Sequence, residues 1–301
     1  MRVLITGATG LIGSAIVKQC HAKGILVHYL TTSKNKLSNK ENYKGFFWNP
    51  NKGEIDVSCF EGVDPIINLA GVSISKRWTK IHKKDILESR VQALSLLKNT
   101  LSNHDHSIKH IISASGIGAY PSSLTNYYEE TYPGTSPTFL GKVVREWEEA
   151  TNDFKELNIM TSNIRIGLVL SNKGGALPVI VKPIKFYVGA AFGSGEQWQS
   201  WIHIEDVARM FVFVLTHQLE GIYNAVAPNP VTQLELTKAI SRKINKPLWL
   251  PNIPKDVIKL ILGEMHILLI ESQRVCSKKI EAKGFDFKYH SLEPALGELL
   301  N

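Results

Sequence analysis

The residues with the plainest chemical use lie near the start of the chain. Thr6-Gly7-Ala8-Thr9-Gly10-Leu11-Ile12-Gly13 places a glycine at every third position, directly after the apolar run Val3-Leu4-Ile5 and directly before a helical pattern. Glycine tolerates positive φ and lets a ligand come close to the backbone. A helix that begins there offers unpaired N–H groups and a partial positive charge to a phosphate. Three glycines alone are weak; between a strand and a helix they point to the pyrophosphate of a dinucleotide. Gly7, Thr9, Gly10, Leu11, Ile12 and Gly13 are therefore expected to border a cofactor.

Charge at the end of the next strand selects the cofactor. Folds that take NAD usually carry an acidic residue about 20 positions on, at the ribose 2′-hydroxyl. Here no Asp or Glu precedes Glu41, and the run Leu26–Leu30 leads into Thr31, Thr32, Ser33 and Lys34. Hydroxyls and an ammonium suit a 2′-phosphate, so NADP is expected rather than NAD. Other reactive groups leave two readings open. His203, just before a helix, is either a general acid or a hydrogen-bonded structural residue. Arg165 either reaches a phosphate from the sheet edge or pairs with a carboxylate. The basic stretch 76–84 either coats a solvated helix face or faces a phosphate.

The elements that must position these groups alternate. Strands are expected at 3–5, 26–30, 65–69, 110–113, 160–170 and 221–226. Helices are expected at 11–23, 86–101, 140–156, 206–217, 233–245 and 255–262. Between 171 and 200, Gly174, Gly175, Pro178 and Pro183 punctuate a loop-rich stretch. The alternation predicts an α/β fold, a Rossmann-type doubly wound parallel sheet with a small C-terminal α/β lobe. The division expected is a dinucleotide-binding core over 1–230, with 171–200 on the substrate side, and a small domain over 231–301.

Composition narrows the classes. The 301 residues are 44% hydrophobic and 21% charged, ordinary for a globular chain and enough to bury a core without staples. The net charge of +8 suits phosphorylated ligands, but no nucleic-acid-binding signature accompanies it. No apolar run is long enough to span a membrane. Cys20, Cys59 and Cys276 lack Cys-x-x-Cys spacing, which argues against a disulfide framework or a structural zinc. Met1-Arg2-Val3-Leu4-Ile5 runs into the glycines without a signal-peptide pattern, so a reduced cytoplasmic setting is expected.

The glycine motif, Asn68-Leu69-Ala70-Gly71 and Ser113-Ala114-Ser115 together resemble an extended short-chain dehydrogenase/reductase. Further stretches sharpen the likeness: Arg77-Trp78-Thr79, Ser89-Arg90-Val91, Trp147-Glu148, Arg165-Ile166-Gly167, Trp201-Ile202-His203 and Ser272-Gln273-Arg274-Val275. With these the chain resembles, over nearly its whole length, an atypical epimerase-like family. That family is often labelled nucleoside-diphosphate-sugar epimerase or cell-division inhibitor. The resemblance implies NADP and brings Leu69, Ala70, Gly71 and Arg77 to the cofactor. Thr32 departs from it, since relatives often carry Arg there. The helices at 86–101 and 140–156 resemble those that pair in many dimeric relatives, which implies a homodimer.

The same superfamily works with Ser, Tyr and a Lys four residues after the Tyr. Ser115 stands where the catalytic Ser belongs, and its hydroxyl either meets substrate or makes a local bond at the strand end. Phe139 and Val143 stand where Tyr and Lys belong, and neither moves a proton. Lys142 lies about 100° round the helix from Val143. Tyr120, Tyr127 and Tyr128 are candidate substitutes, although tyrosine is also common in loops and interiors. The expectation is an NADP-binding epimerase-like protein or oxidoreductase. Its substrate would be a sugar nucleotide or another small carbonyl or hydroxyl compound, and its active site lacks the Tyr–Lys pair. The alternative is a non-catalytic NADP-binding sensor.

Overall fold

A computed structural model describes residues 1–301. Its centre is a sheet of seven parallel strands. They are β1 (Arg2–Thr6), β2 (Leu26–Thr31), β3 (Tyr43–Asn49), β4 (Pro65–Asn68), β5 (His110–Gly116), β6 (Met160–Ile166) and β7 (Gly221–Ala225). Their spatial order is β7-β6-β5-β4-β1-β2-β3. Chain order reverses between β1 and β4, and a doubly wound sheet opens its ligand crevice at such a point. Strands buried on both faces read as apolar runs, as Val3-Leu4-Ile5 and Ile111-Ile112 do.

Helices α1 (Leu11–Ala22) and α5 (Ile204–Thr216) pack together on one face of the sheet, and α2 (Lys80–Ser102) and α3 (Phe139–Asn152) on the other. Helix α2 starts six residues earlier than periodicity suggests. Thr79 caps it, its hydroxyl accepting from the His82 N–H at 3.1 Å, so the second half of the basic stretch, from Lys80 to Lys84, falls in the opening turn of the helix while Lys76 and Arg77 precede it.

Three other elements differ from expectation. Strand β3 was not expected, because Tyr43-Lys44-Gly45-Phe46-Phe47-Trp48 does not alternate. Gly45 is needed there, since a Cβ would lie 2.5 Å from the Tyr29 ring. The strand expected at 160–170 ends at Ile166. A Cβ on Gly167 would lie 2.2 Å from the Ser200 carbonyl, and beyond it Leu168–Leu170 pairs with Trp201–His203 instead of the main sheet. The loop-rich stretch holds helix α4 (Ala176–Lys185). Pro178 sits in its first turn, where the N–H has no intrahelical partner anyway. Leu177 and Ile184 of α4 share a second apolar core with Leu236 and Ile240 of α6 (Gln233–Lys243) and with Leu292 and Leu296 of the last helix, Leu292–Leu299.

Candidate functional site

Three buried polar side chains fix the carboxyl edge of the central strands. Thr6 donates to Asn68 Oδ1 at 2.7 Å, and Asn68 Nδ2 donates to Ser113 at 3.0 Å. The Thr6 hydroxyl also accepts from the Leu69 and Ala70 N–H groups. Strands β1, β4 and β5 are thereby locked at the level where their loops begin. A cavity of about 570 Å³ opens along that edge.

At one end of the cavity lies the glycine turn. Gly7 has φ +68°, and a Cβ there would meet the Leu69 carbonyl at 2.9 Å. A Cβ on Gly13 would lie 2.2 Å from the Gly7 carbonyl. Gly10 is different: its φ is −80°, and a Cβ would meet only the Gly7 carbonyl, at 3.2 Å. No side chain caps α1 and no acid occupies its first turn. The N–H groups of Leu11, Ile12 and Gly13 therefore have no protein partner imposed on them.

The structure brings Gly7, Gly10, Leu11, Ile12, Gly13, Leu69, Gly71 and Ser115 into the wall of this one cavity. It leaves Thr9, Thr31, Thr32, Ser33, Lys34, Ala70 and Arg77 outside the wall. Thr32 and Lys34 are exposed at the end of β2, beside the turn that follows β1. Thr31 accepts from the Ser33 N–H, and the Lys34 ammonium lies 5.3 Å from the centre of the Phe47 ring. Arg77 is exposed, whereas its neighbour Trp78 is buried and donates to the Ile74 carbonyl.

Ser115, two strands across the sheet from the glycine turn, lines the same cavity and is tied to a buried ion pair. Its hydroxyl donates to Glu148 Oε1 at 2.6 Å. Arg165, next to Ser115 in the sheet register, donates from Nε and Nη2 to the same carboxylate, both at 2.8 Å. Glu148 and Arg165 are each only 8% exposed, so the pair is desolvated and bidentate. Burial disfavours the Arg165 cation, but Glu148 outweighs it and the guanidinium pKa lies above its usual value. Arg165 is therefore the carboxylate partner, not the phosphate contact. Because the Ser115 proton is committed to Glu148, Ser115 offers only lone pairs to the cavity.

The Tyr–Lys positions are apolar here. Phe139 packs edge-to-face on Trp78, and Val143 is buried in the cavity wall. Lys142 points outward and pairs with Glu146 at 3.6 Å. Tyr120 is fully buried, donates to Asn224 and stacks on Tyr128; neither they nor Tyr127 reach the wall. His203 is a structural residue. Nδ1 accepts from the Glu205 N–H to cap α5, while Nε2 meets Glu298 at 3.0 Å. Two groups that sequence reasoning did not assign to the site are the only residues in the wall with a readily charged side chain, Arg90 and Glu271. Burial raises the Glu271 pKa, opposed by the hydrogen bond from Gln273 and by His266. Their spacing in the chain, 181 residues apart, gave no local signal.

Residues 3–225 match the model of the NAD dependent epimerase/dehydratase family, and residues 253–299 match a domain of unknown function. An epimerase family protein of Staphylococcus epidermidis is 35% identical over 302 residues, covering 99% of both chains. The crystal structure of a human epimerase family protein with NADPH superposes with a TM-score of 0.85 at 27% identity, covering 99% of each chain. A nucleoside-diphosphate sugar epimerase from Corynebacterium glutamicum superposes with a TM-score of 0.79 at 28% identity, covering 100% of this chain and 58% of that one. No helix is long and apolar enough to cross a membrane. With the glycine turn, the parallel sheet and the matched residues in agreement, this chain belongs to the NAD dependent epimerase/dehydratase family.

Proposed function

We propose that the cavity binds NADP(H) along the glycine turn. Its Ser115 end would take a hydroxyl- or carbonyl-bearing substrate, a sugar nucleotide or another phosphorylated compound, for epimerase-like or oxidoreductase chemistry without a Tyr–Lys pair. The observation that carries this is a continuous cavity from the glycine turn to Ser115. The residues present fit the cofactor. Gly7 packs on the Leu69 backbone and Gly13 on the Gly7 carbonyl too tightly for any side chain, which holds the turn closed, and Gly10, Leu11, Ile12 and Gly13 line the cavity with no side chain capping the first N–H groups of α1. Thr32, Ser33 and Lys34 put no carboxylate near a 2′-phosphate, and the human relative's structure with NADPH supports the same choice. The buried, unpaired cysteines suit a reducing compartment such as the cytoplasm.

A bound nicotinamide supplies hydride exchange. The protein's part is orientation and proton handling. Ser115 accepts from a substrate hydroxyl, since its own proton is held by Glu148. Glu271 is the one carboxyl in the wall, and burial shifts it in the direction that proton exchange near neutral pH requires. The absence of any Tyr or Lys from the wall favours a second reading, a cofactor-binding protein that responds to NADP(H) without turnover. Titration tests the cofactor: NADPH should bind roughly tenfold or more tightly than NADH, and Thr32→Asp should narrow that gap. Equal or tighter NADH binding in the wild type rules out NADP selection. Nicotinamide absorbance in the presence of sugar nucleotides then separates enzyme from sensor.

A further inference from the structure

Two arginines are buried on the same side of the sheet, and they are not alike. Arg165 spends its charge on Glu148. Arg90, projecting from the middle of α2, is 9% exposed and has no carboxylate partner. Its Nη1 donates to the Ile86 carbonyl at 2.6 Å and more weakly to Val72 at 3.4 Å. A guanidinium carries five N–H donors, so three are unspent. Nε is sealed from solvent with no partner, and Nη2, which also lacks one, is not sealed. The guanidinium lies over the Trp147 ring at 4.7 Å, and the buried Trp147 indole N–H is likewise unpartnered.

The guanidinium is closely packed yet belongs to the cavity wall. A Cβ on Gly71 would lie 3.0–3.2 Å from the guanidinium carbon and its two terminal nitrogens, so only a glycine lets the chain pass this close to the group. Gly71, Val72, Arg90, Ser115 and Trp147 all line the cavity. Burying a cation without an anion is costly, and cation–π contact with Trp147 offsets only part of that cost. Desolvation alone pulls the Arg90 pKa down to about 10, with no acidic neighbour to restore it.

We propose that Arg90, stacked on Trp147, is an oxyanion subsite of this cavity that takes a phosphate or carboxylate of the bound ligand. The proposal rests on the reading of the cavity as a ligand site. Two sources share that chemistry: the dinucleotide's own phosphates, or the acid group of a second ligand bound beside Ser115. An arginine is suited to either, because its planar fork matches both anions bidentately.

The test uses the full chain, Arg90→Met and Arg90→Lys, with NADPH and inorganic pyrophosphate as probes. Pyrophosphate is titrated with and without saturating NADPH. Arg90→Met should bind at least one probe roughly 10–100-fold more weakly, the loss expected for a charge-assisted hydrogen bond. Its ligand-free Tm should be no lower than that of the wild type, because an unpaired buried charge has been removed. Weaker NADPH binding assigns the subsite to the dinucleotide. Weaker pyrophosphate binding only in the presence of NADPH assigns it to the second ligand. Both affinities unchanged in folded Arg90→Met overturn the proposal, as does a wild type that binds neither probe. If Arg90→Met fails to fold, Arg90→Lys keeps the charge but not the fork. It must then weaken the same probe at least threefold, and unchanged affinity is again the refuting result. Arg90-dependent pyrophosphate binding without any NADPH binding refutes the NADP(H) reading and leaves the subsite standing.

Discussion

Replacing Glu148 by Leu should be among the most damaging single changes in this protein. The carboxylate accepts from Ser115 at 2.6 Å and from Arg165 twice at 2.8 Å, and both ionic partners are 8% exposed. Without it Arg165 stays buried and unpaired. Its other neighbour is the face of Tyr120, 5.0 Å from the guanidinium carbon to the ring centre. Breaking one side of a buried pair costs about 3–5 kcal/mol. For a chain of 301 residues that corresponds to a Tm lowered by roughly 5–8 °C. Arg165→Met should cost a similar amount, because it strands Glu148 instead. The double variant removes both charges together, and burial of apolar groups in their place is often neutral or stabilising. Urea unfolding of wild type, both single variants and the double variant closes the cycle, with a coupling of about 3 kcal/mol or more expected for groups in direct contact. If the two single losses simply add, Glu148 and Arg165 do not act as a unit, and the account of Ser115 as a pure acceptor loses its foundation.

Two further outcomes follow from buried groups elsewhere. His110 is held neutral by burial, only partly opposed by Glu220, with its pKa pushed down from 6.5 to about 4. Its Nε2 lies 2.7 Å from the Ser162 hydroxyl, while Nδ1 has no partner to receive a second proton. The unfolded chain therefore takes up the proton first. Stability is full above pH 6.5 and falls as pH drops toward 4, by up to about 3 kcal/mol from this residue. His110→Leu should lose less stability over that window in urea titrations, and equal losses in both proteins would sink the assignment. At the glycine turn, Gly13→Ala forces a Cβ to 2.2 Å from the Gly7 carbonyl and should destabilise the fold by about 1–3 kcal/mol or more. Gly10→Leu, whose Cβ would meet only the Gly7 carbonyl at 3.2 Å, should lower the Tm less than Gly13→Ala while abolishing NADPH binding in calorimetry; a fully retained affinity in the folded variant places the pyrophosphate elsewhere.

What the sequence made legible was what depends on neighbours in the chain. The glycine turn declares itself because strand, turn and helix are contiguous; the lock of Thr6 on Asn68 and Ser113 did not, because its three residues come from separate strands. Strand β3 escaped because its face is set by Tyr29, which stacks on Tyr43 at 4.2 Å across the sheet, not by alternation within the run. Helix α4 escaped because Pro178 reads as a loop signal unless its place in the first turn is known. Ser115 came from a resemblance between whole motifs, but the direction of its hydroxyl depends on a side chain 33 residues further on.

The cation shows the limit most clearly. In the superfamily this chain resembles, a lysine four residues after the tyrosine supplies positive charge from the same helix face, and a search for that spacing finds Val143. Yet the cavity wall does contain a cation. It comes from α2, where Arg90 lies over Trp147, a residue of α3 one turn beyond Val143. Periodicity within one helix reports which residues share its face; it carries no information about what a neighbouring helix lays across that face. Val143 in place of a Lys therefore leaves no proton-relay geometry, while Arg90 still puts positive charge in the cavity wall. A guanidinium with no carboxylate partner is suited to holding an anion, the role proposed for Arg90, and no tyrosine lies in the wall for it to tune.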